Sequence, residues 1–346
     1  GLARRLLAMG DPQDPAFRLD WAELLDRISV RKVYSVDADL RRPHVRPEAL
    51  LRTVVLRESG DASASTGPYV VESQSEEEAV YTANADYSGE TSQPREIVEH
   101  YYRKATKAVT ALERRQIDVL DRVNPWDLER IRSVKGMKVQ RYAAPTVHCL
   151  IPNLERPFTA RREFRRALVY GIHRDAILAH LVRGQPLSGC QVISGPFSAG
   201  MSRDDPLDYA YDRAIEPRAY QPHLAIALAQ VALTDVAAAM EEEGVEIADI
   251  PELVLAHPAH EIARVAATSI QQQLRLVGIP IVLRELPAGL PARIPDDVDL
   301  LYAEVSMWEP VVDARRLLGE GSIAGGSSIF MSQALRRLDQ ATDWAQ

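Results

Sequence analysis

Only two cysteines occur among the 346 residues, Cys149 and Cys190, too few for a disulfide framework or for a zinc site built from thiolates. Two readings of the pair stay open: separate thiols, or a single bridge if the fold brings them together. Unbroken apolar runs are short, none approaching the roughly 18 residues of a membrane span, and a soluble chain is expected. Positive charge is also scarce. With 41 Lys and Arg against 49 Asp and Glu the formal net charge is -8, and no long basic block offers a nucleic-acid footprint. The pairs Arg161-Arg162 and Arg165-Arg166 are local exceptions and read as a solvated helix face. The first residues lack the charged, apolar and small-residue segments of a secretion signal.

What is present is ordinary globular material, 46% hydrophobic and 26% charged, in a length that suits two lobes better than one domain. Leu6, Leu7, Trp21, Leu24, Leu25 and Ile28 are spaced as in helices and are interrupted at Asp11-Pro12 and Asp14-Pro15, which predicts two short helices. Partial alternation over residues 30–40 predicts one half-buried strand before the loop Arg42-Pro43-His44, and a helix over 47–56 follows. The loop at 60–66 leads through Gly67-Pro68 into a strand, with further strands at 80–85 and 96–102, a helix at 104–115 and a short strand at 117–120. Asn124-Pro125 has the form of a capped helix start.

Residues 139–151 read as extended, because Ala144-Pro145 disfavours helix, and form a candidate crossing strand at a hinge. Two helices are expected over 161–183, then a long loop over 184–206. Helix 223–242, strand 252–256, helix 261–277 and strands 279–286 and 298–305 complete an alternating α/β series.

No chemistry-bearing motif is complete. His257-Pro258-Ala259-His260-Glu261 is not a His-Glu-x-x-His zinc motif, and Pro258 spoils a shared helical face, so no metal site is predicted. Residues 319–328 are Gly-rich but lack a P-loop lysine and a Gly-x-Ser-x-Gly elbow, which leaves a surface loop. Glu241-Glu242-Glu243 is a solvated helix end. No catalytic residue and no cofactor are predicted.

The order of these signals resembles the bacterial extracytoplasmic solute-binding proteins of the peptide/nickel class, family 5. Ser65-Thr66-Gly67-Pro68-Tyr69 is similar to the family's Gly-Thr-Gly-Pro-aromatic turn with Ser in place of the first Gly. Residues 111–120 match its Gly-Glu-Ile-Asp-Val element more weakly, with Arg115-Gln116 in place of Gly-Glu. The most specific stretch is 158–177, where Phe164-Arg165-Arg166-Ala167-Leu168-Val169-Tyr170-Gly171-Ile172-His173-Arg174 resembles the family's Val-Arg-Gln-Ala-Leu-x-Tyr-Ala-Ile-Asp-Arg. Tyr209-Ala210-Tyr211-Asp212, Ile270-Gln271-Gln272-Gln273-Leu274 with its exit Val277-Gly278-Ile279, and the strand leading to Trp308 follow in the family's order.

The resemblance implies an α/β, two-lobe, type II periplasmic-binding-protein-like fold with a hinge. Residues 1–142 would be the C-terminal part of an incomplete lobe I and 143–346 lobe II, with segments expected before residue 1 and after Gln346. It implies a monomeric, extracytoplasmic subunit of an ABC importer, on the periplasmic or outer face of the membrane, either free or anchored as a lipoprotein. That subunit captures a peptide by hinge closure, a motion for which periplasmic binding proteins are the standing example, and delivers it to a permease and ATPase. A peptide-binding regulator or chaperone, or a binder of nickel or another small solute, is the alternative.

In peptide-binding members an acidic residue after the last-strand Trp holds the ligand's amino terminus, because a buried ammonium needs a charged partner. That assigns Trp308, Glu309 and Asp313 here, with Glu309 substituting for a position that falls near Pro310 or Val311. The competing reading makes Trp308 a core aromatic and Asp313 a helix cap. Thr146, Val147 and His148, just past the hinge, either line the cleft floor or are plain strand residues.

Overall fold

Near-continuous burial along two strands, at residues 253–258 and 300–306, marks the centre of one mixed sheet covered on both faces. The computed structural model describes residues 1–51, 67–90, 93–140, 142, 144–184, 189–200, 205, 207–326 and 328–343. The loop at 60–66, with Ser65 and Thr66 of the expected turn, the later half of the helix expected at 47–56, and parts of the 184–206 loop lie outside these. The chain divides into two units, Gly1–Leu120 with Arg336–Gln346, and Asp121–Leu335.

In the first unit α1 (Leu2–Ala8) and α2 (Leu19–Leu24) precede an antiparallel hairpin of β1 (Leu25–Lys32) and β2 (Ser35–Leu40). Trp21 is buried, and its indole N–H donates to Leu6 O at 2.8 Å, so the ring joins α1 to α2 without leaving a polar atom unsatisfied. Arg18 donates to Leu50 O at 3.0 Å and holds the 3-10 turn Pro47–Leu51. The single strand expected over 30–40 is therefore corrected: the chain reverses at Val33-Tyr34, with Val30 opposite Val36. No Gly, Asn or Pro marks that turn, so the alternation runs through it unbroken.

A second antiparallel sheet follows, ordered β3 (Tyr69–Gln74), β4 (Glu78–Ala83), β5 (Glu96–His100). Helix α3 (Ala105–Glu113) then buries Ala108, Val109, Ala111 and Leu112 on one side. The strand expected at 117–120 is absent, and Val119 is 79% exposed. Strand propensity without a ladder partner or a face to bury does not make a strand.

The second unit begins with a 3-10 turn, Pro125–Asp127, leading into α4 (Leu128–Arg132). Pro125 takes the first position as expected. Asn124, however, makes no capping bond; its amide donates to Glu261 Oε2 at 2.9 Å. The four-stranded sheet is ordered β6 (Thr146–Pro152), β9 (Leu300–Ser306), β7 (Leu253–Pro258), β8 (Ile281–Leu286). β6 is antiparallel to β9, and β7 is parallel to both β8 and β9.

Even-numbered residues of β9 face α5 (Arg162–Gly171), α6 (Arg174–Leu181), α7 (Pro222–Glu242) and α8 (Glu261–Leu276), where Leu300 and Tyr302 join Phe164, Leu255, Leu274 and Ile279. Odd-numbered Leu301, Ala303 and Val305 face the other way and pack with Ile151, Ala256 and Leu317 of α9 (Pro310–Leu318). Each fully buried Leu or Ile in these layers contributes about 1.5–3 kcal/mol. Gly171 permits close approach of three helical segments, since a Cβ there would lie 3.1 Å from Val277 Cγ2 and 3.3 Å from Ala225 Cβ. Helix α10 (Ile329–Gln340) ends the regular structure.

Two details bear on the expectations. Helix α7 is long and apolar enough, by length and composition, to cross a membrane, and counting only unbroken apolar runs overlooks it. In the fold its Ala225, Ala229, Ala232, Leu233 and Val236 lie in the core. Cys149 and Cys190 are separate thiols, and burial pushes Cys149 up to about 11.

Candidate functional site

The chain steps outward from β7 to β8 and then back past β7 to β9, so its winding reverses between β7 and β9. In open α/β sheets the crevice beyond the carboxyl ends of strands at such a reversal is the usual place for a ligand. That edge here is formed by the ends of β7 and β9, the start of antiparallel β6, and the first turns of α8 and α9.

Moving along the helix-facing side toward this edge, apolar pairs give way to polar ones. Leu150 stands opposite Tyr302, His148 opposite Glu304, and Thr146 opposite Ser306, whose hydroxyls are 3.0 Å apart. His148 Nδ1 is hydrogen-bonded to the Tyr302 hydroxyl at 2.7 Å and lies 3.6 Å from Glu304 Oε1. His260 caps α8, its Nδ1 accepting from Ala263 N–H, and turns Nε2 to within 3.1 Å of the same Glu304 oxygen. Glu304 Oε1 is buried between the two imidazoles, nearer to His260 than to His148.

Burial raises the Glu304 pKa, but His260, His148 and Arg122 outweigh it and hold the carboxyl below its ordinary value. Burial dominates at His148, lowering its pKa against the pull of Glu304, although 41% of its side-chain surface is accessible. The two directions agree on one state near neutral pH: an ionised Glu304 beside an uncharged His148. Burial likewise pushes the Tyr302 phenol up.

The second group follows β9. Trp308 is 62% exposed, so its reading as a core aromatic is corrected. Glu309, 5% exposed, accepts a short hydrogen bond from the Tyr209 hydroxyl, and that hydroxyl accepts from Val311 N–H at 3.3 Å. Asp313 lies in the first turn of α9 and accepts from the N–H of Glu309, the residue at the N-cap, at 2.9 Å. Val147 alternates to the opposite face and is buried, away from Thr146 and His148.

Tyr302, Glu304, His260 and Tyr209 are members of this edge that sequence reasoning does not assign to a site. Glu304 carries a usable signal, a charge inside an otherwise apolar strand Leu-Leu-Tyr-Ala-Glu-Val. His257 is buried with Nδ1 3.0 Å from Pro258 O, and among the described residues no three His, Cys, Asp or Glu are grouped as metal ligands would be.

Residues 54–308 match the middle region of the bacterial extracellular solute-binding proteins, family 5. The chain belongs to this family. Family 5 proteins bind solutes outside the cytoplasm and are not enzymes. The curated dipeptide-binding protein of Escherichia coli (strain K12) is 25% identical over 148 residues, 42% of this chain, and the match spans 27% of that protein's length.

Among solved family 5 structures, NikZ from Campylobacter jejuni in complex with Ni(L-His) superposes with a TM-score of 0.78 at 14% identity, over 99% of this chain and 73% of that one. DppA from Helicobacter pylori in complex with peptide STSA gives 0.76 at 15% identity, over 99% and 71%. Likeness at this identity establishes the two-lobe α/β fold.

Proposed function

We propose that this family 5 chain is the capture subunit of an ABC importer whose solute is a peptide, held at the carboxyl edge of the β6-β9-β7-β8 sheet. The observation that carries the reading is the pairing of an exposed indole with buried carboxylate at one edge: Trp308 offers apolar and aromatic surface, and Glu309 and Glu304 offer negative charge. A peptide's ammonium entering such a site replaces its lost hydration with a carboxylate partner. The dipeptide-binding relative supports the same solute class. Thr146, His148 and Asp313 belong to the proposed site, Asp313 by fixing the start of α9. A lobe division near residue 142, closure about that hinge on binding, and delivery to a membrane permease and ATPase are parts of the reading.

Thermal shift of the purified protein against di- to penta-peptides, free amino acids, nickel chloride and nickel with histidine tests it. A ligand that binds the folded state raises Tm. Peptides are expected to do so, and Glu309→Gln to lose most of the shift. Stabilisation by nickel with histidine alone would replace the peptide assignment while leaving the fold and family intact.

A further inference from the structure

Helix α5 places Arg162, Arg166 and Tyr170 at four-residue steps, hence on one face. Like charges at this spacing repel, and Arg161 and Arg162 occupy the positive end of the helix dipole. Glu163, the one carboxylate of α5, acts on Arg165, which donates to Thr159 O and Ala160 O at 3.0 and 2.7 Å. Arg162, Arg166 and Arg218 form no ion pair among the described residues. Locally unfavourable charge without an ion-pair partner among the described residues is where function is expected.

Arg218 is held in place. Its carbonyl accepts from Arg174 Nη2 at 2.6 Å, while Arg174 Nη1 donates to Ile193 O at 3.1 Å. Its own Nη1 donates to the Tyr170 hydroxyl at 2.9 Å, and its guanidinium lies 5.8 Å from the ring centre. The Tyr170 ring is buried, and its carbonyl accepts from Gln221 N–H at 2.9 Å, tying α5 to the start of α7. Burial pushes the phenol up, yet Arg218 and Arg166 outweigh it and hold its pKa below the ordinary value. The Arg218 guanidinium thus donates to a hydroxyl that has its own proton left to donate, and Arg166 stands one helical turn before it on the same face of α5. A guanidinium fork matches the oxygens of a phosphate, and two fixed cations favour a dianion over a monoanion.

We propose that Arg166, Arg218 and the Tyr170 hydroxyl form a binding site for a phosphate-class oxyanion, with Arg162 adding charge from the preceding turn. The site is separate in sequence and in strand edge from the peptide reading and does not depend on it. In a chain of net charge -8 such an anion is repelled in general, so binding has to come from these local cations.

Titration of the purified protein at low ionic strength with inorganic phosphate and, separately, acetate, followed calorimetrically, tests the site. Co-sedimentation with phosphatidylcholine vesicles, with and without phosphatidylglycerol, distinguishes a lipid headgroup from a free ion. Phosphate is expected to bind more tightly than acetate, and Arg166→Gln to weaken it about tenfold or more. Arg166 is exposed, so Tm should be unchanged in that variant; Tyr170→Phe provides the second test, losing the donor while keeping the ring. Binding to phosphatidylglycerol vesicles that Arg166→Gln abolishes would assign the headgroup as the source, and phosphate binding alone would assign a soluble ion. Acetate equal to phosphate, unchanged affinity in Arg166→Gln, or no binding to either phosphate or anionic vesicles would overturn the proposal.

Discussion

His260 Nε2 and Glu304 Oε1 are 3.1 Å apart, joining the cap of α8 to the end of β9, while His148 approaches the same oxygen from β6 at 3.6 Å. Three elements distant in sequence thereby meet at one carboxylate on the edge where the sheet's winding reverses. An ionised Glu304 beside an uncharged His148 sets the chemistry of this edge near neutral pH.

Acid should weaken the unit that holds this cluster. The Glu304 pKa is depressed below its ordinary 4.5, so its contribution is complete above that value and is lost as pH falls through the lower folded value. The His148 pKa is depressed below 6.5, so the unfolded state takes up protons first, and stability present above 6.5 declines as pH falls toward the folded value. Both slopes have the same sign. Tm measured against pH is expected to fall on acidification, and His148→Gln to flatten the part of the curve just below 6.5. An identical curve for that variant would remove His148 from the account.

Asp299, buried immediately before β9, ties the strands together at the end opposite this edge. It accepts from Val254 N–H at 2.8 Å and from Arg156 Nε at 2.9 Å, while Asn153 donates its amide to Val298 O at 2.9 Å. Asp299→Ala strands a backbone N–H and is expected to lower unfolding free energy by about 1–3 kcal/mol in urea titration. Arg156 is 40% accessible and rehydrates, which keeps the loss at the modest end. Asp299→Asn, retaining an acceptor for Val254, should lose less.

Long periodic stretches are legible in the sequence and irregular joins are not. The helices expected at 223–242 and 261–277 appear as Pro222–Glu242 and Glu261–Leu276, because each carries enough turns to define a buried face. The reversal at Val33-Tyr34 is invisible locally because neither residue signals a turn. The family is legible in the α5–α6 stretch. The candidate site is legible only along the chain: Trp308, Glu309 and Asp313 are neighbours in sequence, whereas His148 and Tyr302 are separated by 154 positions and Tyr209 and Glu309 by 100. Such meetings depend on strand order and register, which local pattern does not encode.

Tyr209 holds the Glu309 carboxylate from a 3-10 turn far away in sequence. Removing its hydroxyl in Tyr209→Phe takes a donor from a buried carboxylate, with an expected loss of about 1–3 kcal/mol in urea titration. Peptide affinity in this variant separates two roles for the hydroxyl. A weaker affinity means that Tyr209 positions the carboxylate for the ligand, and a stronger one means that it competes with the ligand for it.

Trp308 gives the sharpest separation of binding from stability. Exposed as it is, it contributes little to the core, so Trp308→Ala should change unfolding free energy by no more than about 0.5 kcal/mol. Phe164, fully buried within the helix-side core, should by contrast cost about 3–5 kcal/mol when truncated to Ala. An indole left in water at the carboxyl edge has its apolar area available to a ligand, and covering it stabilises the complex at about 25 cal/mol per Å². The thermal shift that peptides produce is therefore expected to shrink in Trp308→Ala while the unliganded Tm stays put. If the shift survives intact, the indole lies outside the peptide's footprint and the site must be redrawn around His148, Glu304 and His260.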